Sequence, residues 1–148
     1  MRFPPSNKTH RLSDHGRIGM LPLAGLVLLL VFPGYALSRL VTTVDWRVLA
    51  AAPMAVSIFT FFAYRSDKRR AEAGEWRIPE SMLHLGELVG GWPGAFLAQR
   101  RYRHKTAKTS YQIAFWLIVL IHQSVAFDSL FGWRMAKELI RLIRSQVA

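Results

Sequence analysis

The stretch at residues 18–38, IGMLPLAGLVLLLVFPGYALS, decides the fold class, because it runs for 21 residues without a charged side chain. An α-helix rises 1.5 Å per residue, so about 20 apolar residues cross the hydrocarbon core of a bilayer. We therefore predict that this segment is the first of several transmembrane helices. A basic flank, an apolar centre and the Pro33-Gly34 break also resemble a cleaved signal peptide, which stays open as the alternative.

Two further stretches have the length and composition of membrane spans. Residues 48–64 carry no charge over 17 residues, and Trp46 and Tyr64 flank them where interfacial aromatic side chains belong. Residues 112–131 are mainly apolar over 20 residues, although they include His122 and Asp128. We predict that these are the second and the last transmembrane helices.

The overall composition supports membrane insertion. Hydrophobic residues make up 51% of the 148 residues, yet the formal net charge is +11. A soluble domain would have to display both on one surface, whereas a membrane protein places apolar helices in lipid and basic loops in water. The excess of cations points to anionic lipid or nucleic acid as a partner. The absence of cysteine excludes disulfides and thiolate metal sites.

Residues 82–99 are apolar enough to enter a membrane, but they contain His84, Glu87 and a GGWPG break at residues 90–94. A carboxylate at the bilayer centre costs about 3 kcal/mol, and a broken helix leaves backbone groups that lipid cannot satisfy. Both features favour a re-entrant hairpin over a span. We therefore predict an all-α integral membrane protein of three transmembrane helices plus a re-entrant helical hairpin, or of four transmembrane helices.

The termini frame this membrane domain, which we place at residues 18–131. Residues 1–17 form a basic tail, and the positive-inside rule predicts a cytoplasmic N-terminus in the cell (inner) membrane. Residues 132–148 predict an amphipathic C-terminal helix that suits an anionic membrane surface. Its cations recur at spacings of three and four, which places them on one face: Arg134, Lys137, Arg141 and Arg144.

The centre of the chain resembles the domain of unknown function 1294 family from about residue 64 to residue 116. The resemblance begins with the pattern Asp67-Lys68-x-x-Ala71-x-x-Gly74-x-Trp76-Arg77-Ile78-Pro79-Glu80. It continues through Leu83-His84-Leu85, Gly90-Gly91-Trp92-Pro93-Gly94-Ala95, Ala98-Gln99 and Arg103-His104-Lys105-Thr106-x-Lys108-x-Ser110-Tyr111-Gln112. The resemblance implies a small bacterial-type membrane protein and no established activity. Many relatives carry a cold-shock domain before the membrane part; here only a short tail precedes the first predicted span, so we do not expect nucleic acid as a partner.

The basic loop at residues 100–108 is the main candidate for anion binding. Arginine offers a bidentate fork, lysine a point charge and threonine a hydroxyl donor, as in phosphate-binding loops. The alternatives are that the loop acts only as a topology signal that keeps it in the cytoplasm, and that the glycines only form a tight turn between packed helices. Both alternatives stay open. The candidate ligand residues are Arg77, Arg103, His104, Lys105, Thr106 and Lys108, with Gly90, Gly91 and Gly94 in the neighbouring turn.

His84 and Glu87 are three residues apart and share one helical face. They are weak catalytic candidates together with His104, and the alternative is a buried polar pair that supports packing. One histidine and one carboxylate are too few for a closed metal site, so we predict neither metal nor cofactor. Structural roles are expected for Asp67, Lys68, Trp76, Pro79, Glu80 and Pro93.

The sequence therefore favours a membrane binding module for an anionic lipid headgroup or phosphate at the cytoplasmic face. A membrane-embedded enzyme acting on a lipid or polyprenyl phosphate is the second hypothesis. A scaffold whose C-terminal helix and Trp133 dock a partner is the third. Expected partners are anionic membrane lipids, and then a second copy of the chain or another membrane protein.

Overall fold

The computed structural model describes residues 18–147, and every regular element in them is helical. The basic tail predicted at residues 1–17 lies outside these residues. A π-helical turn at Glu87–Gly91 joins the third helix to the fourth. The helices are α1 (Met20–Ser38), α2 (Trp46–Ala73), α3 (Glu80–Gly86), α4 (Trp92–Tyr102), α5 (Thr109–Leu130) and α6 (Arg134–Val147).

Three of these helices, α1, α2 and α5, are long and apolar enough to cross a membrane. This confirms the prediction of an all-helical fold with helices that could span a membrane, and these three helices lie close to the predicted spans. Helix α2 begins where the Asp45 side chain accepts a hydrogen bond from the Arg47 backbone at 2.8 Å, which caps the helix. It continues past the apolar segment to Ala73 and ends at Gly74 in the left-handed conformation (φ 71°).

Residues 82–99 do not form one long helix. They lie in α3, the π-helical turn and α4, and neither α3 with 7 residues nor α4 with 11 has the length of a span. Gly90 has a φ of 109°, which a side chain at that position would disfavour, and the chain changes direction there. We call residues 80–102 the helical hairpin.

Both ends of the helical hairpin lie beside the same side chain of α2. The Asp67 carboxylate accepts hydrogen bonds from the Ile78 backbone at 3.0 Å, before α3, and from His104 at 2.7 Å, after α4. The hairpin tip lies further back along α2, where Cβ atoms on Gly91 and Gly94 would overlap the Thr60 side chain and the Ser57 carbonyl. These glycines let the backbones of α2 and the hairpin approach closely.

Helix α1 packs on α5, and one contact between them satisfies a backbone carbonyl of α1 that lacks a helical partner. Pro33 lies inside α1 and has no N–H, so the Leu29 carbonyl loses its helical hydrogen bond. The Gln123 side chain of α5 donates to that carbonyl at 2.7 Å. Lipid could not satisfy the carbonyl, so this contact explains how the helix passes through the Pro33-Gly34 break.

Helix α6 is attached to the end of α5 by one buried carboxylate. The Asp128 oxygens accept hydrogen bonds from the backbones of Met135 at 2.8 Å and Ala136 at 3.0 Å, in the first turn of α6. The apolar side chains of the helix, from Met135 to Ile143, are exposed. Helix α6 therefore presents both an apolar and a basic face outside the packed core.

Candidate functional site

The Glu87 carboxylate is the centre of a buried polar cluster between α2, the hairpin and α5. It is completely buried, at the start of the π-helical turn. One carboxylate oxygen accepts hydrogen bonds from the hydroxyls of Tyr64 and, at 3.1 Å, Tyr111. The other oxygen lies 2.7 Å from His84 Nδ1, one helical turn earlier. A buried carboxylate is costly unless such donors surround it, and here three of them do.

A chain of hydrogen bonds links this cluster to the loop after α4, and its direction follows from chemistry. The Lys105 carbonyl can only accept, so the Gln112 amide nitrogen donates to it at 3.1 Å and also to the Gln99 carbonyl oxygen at 2.7 Å. The Gln99 amide nitrogen then donates to the Tyr64 hydroxyl oxygen at 3.1 Å. The Tyr64 proton is left for Glu87, and every donor in the chain points toward that carboxylate.

This direction also fixes the expected form of the His84 ring. Because Glu87 accepts on both oxygens, the neutral ring carries its proton on Nδ1 and its lone pair on Nε2. The ring stacks on Tyr111 at a centroid distance of 4.2 Å. Its side chain is 22% exposed, so the ring reaches from the buried carboxylate to the protein surface.

A second buried carboxylate, Asp67, holds the loops at the two ends of the hairpin. Besides the Ile78 backbone and His104, it binds the Lys105 ammonium at 3.3 Å. That ammonium lies 3.5 Å from Glu80 and 4.7 Å from the centre of the Tyr111 ring, so it connects the two clusters. At the rim, the Lys108 hydrogen bond at 2.7 Å lowers the pKa of Glu80 below its usual value.

The predicted anion-binding residues fall into two groups. His104, Lys105 and Lys108 are paired with the carboxylates of Asp67 and Glu80. Arg77, Arg103 and Thr106 are exposed. Arg77 precedes Ile78 and Arg103 precedes His104, so Asp67 brings their backbones to one end of α2.

The glycine turn is separate from that group. Gly91 and Gly94 pack against Thr60 and Ser57, whereas the basic loop packs against Asp67. Ten residues of α2 separate Ser57 from Asp67, which corresponds to about 15 Å along the helix. The structure therefore does not bring Gly90, Gly91 and Gly94 together with the loop cations.

The residues predicted to be structural lie at helix starts, on the surface of α2 and in the loop before α3. Pro79 precedes the first residue of α3, and Pro93 lies in the first turn of α4, where a missing N–H is tolerated. Lys68 pairs with Glu72 on the surface of α2 at 3.1 Å. Trp76 is 91% exposed in the loop before α3. Within residues 18–147 no group of three or more His, Cys, Asp or Glu side chains has the geometry to hold a metal ion.

Comparison with known proteins matches the part of the chain that contains both clusters. A family model described as Protein of unknown function (DUF1294) matches residues 57–111. The uncharacterized protein YsdA of Bacillus subtilis (strain 168) is 32% identical over 74 residues, which cover 50% of this chain and 83% of the relative. The chain belongs to the DUF1294 family. No solved structure matches it.

The DUF1294 match extends from the α2 segment that packs on the hairpin tip to the tyrosine beside Glu87. It contains Asp67 and Glu87 and all of their side-chain partners described above. Gln112, which begins the directed hydrogen-bond chain, is the first residue after the match. The matched segment therefore contains most of the two polar clusters, whereas α1, α6 and most of α5 lie outside it.

Sequence reasoning missed four members of the buried cluster: Tyr64, Gln99, Tyr111 and Gln112. The sequence indicates an interfacial anchor at Tyr64, and it shows Gln99, Tyr111 and Gln112 only within the pattern that resembles the family. The available signal was the position of Gln99 and Gln112, which are amides inside or next to apolar helices, where an unpaired amide is costly. Their mutual contact joins α4 to α5 and cannot be read from spacing.

Proposed function

We propose that this protein is a membrane-embedded module that binds an anionic lipid headgroup or a phosphate group with the basic end of α2. The observation that supports this most directly is the Asp67 carboxylate, which binds both the Ile78 backbone and His104. It thereby holds the loops that carry Arg77 and Arg103 beside the same part of α2. A guanidinium can bind a phosphate through two parallel hydrogen bonds, so two on one surface suit such a ligand.

The pairing of the loop lysines and histidine with carboxylates supports the arginines as the binding groups. His104, Lys105 and Lys108 are paired with buried or half-buried carboxylates, whereas Arg69, Arg70, Arg77 and Arg103 are exposed. Each basic side chain near an anionic membrane surface contributes about 1 kcal/mol. The exposed Trp76 beside Arg77 suits the headgroup level, where tryptophan is enriched.

For this site we propose a cytoplasmic position in the cell membrane, with the helical hairpin re-entering on that side. Two features support the arrangement. Both hairpin ends contact Asp67, and the loops beside them carry most of the basic residues between the spans. With α1 and α2 as consecutive spans, the N-terminus then shares this side, and the 39–45 connection and α6 lie on the other.

Cysteine labelling tests this topology, since the chain contains no cysteine of its own. Single cysteines at Thr106 and Glu75 should react with a membrane-impermeant maleimide only after cells are opened. A cysteine at Thr43, between α1 and α2, should react in intact spheroplasts. Labelling of Thr106 and Glu75 from opposite sides would contradict the re-entrant hairpin.

Native mass spectrometry tests the ligand. The Arg77→Gln/Arg103→Gln variant should lose retention of phosphatidylglycerol during detergent purification, because the two guanidinium groups beside the ends of the hairpin are removed while Asp67 keeps its partners. The matched control is Arg39→Gln/Arg47→Gln, which removes the same charge at the other end of α2 and should retain the lipid. Equal retention by both variants, or equal loss, would contradict the proposed site. Titration with inorganic phosphate distinguishes a free anion from a headgroup.

A further inference from the structure

His84 is not one of the exposed basic residues proposed to bind the anion. Its ring lies between the buried Glu87 carboxylate and the protein surface. Its Nδ1 contacts the fully buried Glu87 carboxylate, and one face of the ring stacks on Tyr111. Within residues 18–147 its Nε2 has no hydrogen-bond partner, and no buried side-chain nitrogen or oxygen there lacks one. Nε2 is therefore accessible from outside the protein, in agreement with the 22% exposure of the side chain.

We infer that His84 Nε2 is an acceptor site for an O–H group, either of water or of a lipid hydroxyl, and that Glu87 is its positioning residue. A carboxylate that binds Nδ1–H holds the imidazole in one tautomer and directs the lone pair of Nε2 outward, as in histidine bases of many enzymes. The buried hydrogen-bond chain supplies the rigid support that such a site needs.

The location of His84 suits a ligand of this kind. Glu80, which pairs with Lys108 at the exposed rim, lies one helical turn before it on α3. One turn corresponds to about 6 Å, whereas the headgroup layer on each side of a bilayer is about 5–8 Å thick. With the rim at the membrane surface, Nε2 lies at the depth where water and lipid hydroxyl groups are both present.

The directed chain predicts a specific consequence of the Glu87→Gln substitution. The Tyr64 and Tyr111 hydroxyls both donate to one oxygen of Glu87, so the amide oxygen of glutamine must take that position. Its NH₂ group then faces His84 Nδ1, which can only accept from it. The ring proton is displaced to Nε2, and the outward acceptor becomes a donor.

Nitrogen-15 NMR of histidine-labelled full-length protein in nanodiscs measures the tautomer directly. We expect the Nδ1–H form of His84 in the wild type and the Nε2–H form in Glu87→Gln. Glu80→Gln removes a carboxylate one turn away and should leave the Nδ1–H form unchanged. An Nε2–H wild type would overturn the inference, and this readout does not depend on any variant folding. An unchanged tautomer in a folded Glu87→Gln protein would also overturn it.

A second measurement uses diethyl pyrocarbonate, whose carbonyl carbon bonds to an unprotonated imidazole nitrogen and releases carbon dioxide and ethanol. Carbethoxylation of His84, followed by peptide mass spectrometry, should be slower in Glu87→Gln than in the wild type, because the accessible Nε2 then carries a proton and has no lone pair for the attack. Equal rates would contradict the role of Glu87. Nanodiscs of phosphatidylglycerol and phosphatidylcholine identify the donor, because only the first lipid has headgroup hydroxyls that would shift the Nε2 resonance.

Discussion

The helical hairpin and helix α1 both pack against long apolar helices, yet they are held in different ways. The hairpin contributes Glu87 and Gln99 to a buried hydrogen-bond network, and its glycines contact the backbone of α2. Helix α1 has one buried residue, Leu26, and Gln123 of α5 donates a side-chain hydrogen bond to its backbone. The hairpin is therefore fixed by several buried hydrogen bonds and by close backbone contacts, whereas α1 is held mainly by apolar packing on α5.

This difference shows which interactions determine how helices pack in a membrane protein. Lipid chains are as apolar as leucine, so apolar surface alone gives helices little reason to associate in one register. Small residues and interhelical hydrogen bonds supply that register. The DUF1294 segment has both, whereas most of α1 presents only apolar side chains to its surroundings. Substitutions in the two regions should therefore differ strongly in cost.

The largest effect is expected for Asp67→Ala, which removes the carboxylate that holds both ends of the hairpin. Lys105, whose side chain is 8% exposed, would lose a partner, as would His104. Breaking a buried ion pair typically costs 3–5 kcal/mol, so we expect a loss of about 4 kcal/mol in the free energy of unfolding. SDS titration followed by circular dichroism measures this. The control Glu72→Ala, in an exposed pair, should cost less than about 0.5 kcal/mol.

A pair of glycine substitutions compares the two regions directly. In Gly94→Ala the new methyl group would overlap the Ser57 carbonyl, and overpacking of this kind costs about 3 kcal/mol. In Gly25→Ala, inside α1, the methyl group meets no atom within 4 Å, so stability should be unchanged or slightly higher. Thermal unfolding in one detergent checks both variants. Equal midpoints would show that α2 and α4 do not pack closely.

The sequence predicted the long helices well, because an uncharged run of about 20 residues is a strong local signal. It also indicated that residues 82–99 are not an ordinary span, since Glu87 and the glycine–proline break conflict with lipid. The contacts between side chains in the site could not be predicted in this way. Asp67 and His104 are 37 residues apart, and only the tertiary packing of α2 with the hairpin brings them together. The sequence therefore identified the basic side chains without showing that three of them pair with the carboxylates of Asp67 and Glu80.

A smaller effect is expected from a tyrosine substitution in each region. Tyr64→Phe removes one donor to Glu87 and the acceptor of the Gln99 amide, both buried, and should cost about 2 kcal/mol. Tyr35→Phe removes an exposed hydroxyl of α1, and should change stability by less than about 0.5 kcal/mol. The same SDS titration measures both. A neutral Tyr64→Phe would mean that the buried hydrogen-bond chain does not stabilise the fold.

The smallest expected effect concerns the polar contact that joins α1 to α5. Gln123→Leu leaves the Leu29 carbonyl without a donor, and interhelical hydrogen bonds in membranes contribute about 0.6 kcal/mol on average. Pro33→Ala restores an N–H to that carbonyl, so Gln123→Leu should cost almost nothing in that background. A double-mutant cycle measures the coupling. If Gln123→Leu costs the same in both backgrounds, the glutamine does not compensate for the proline, and α1 depends on apolar contacts alone.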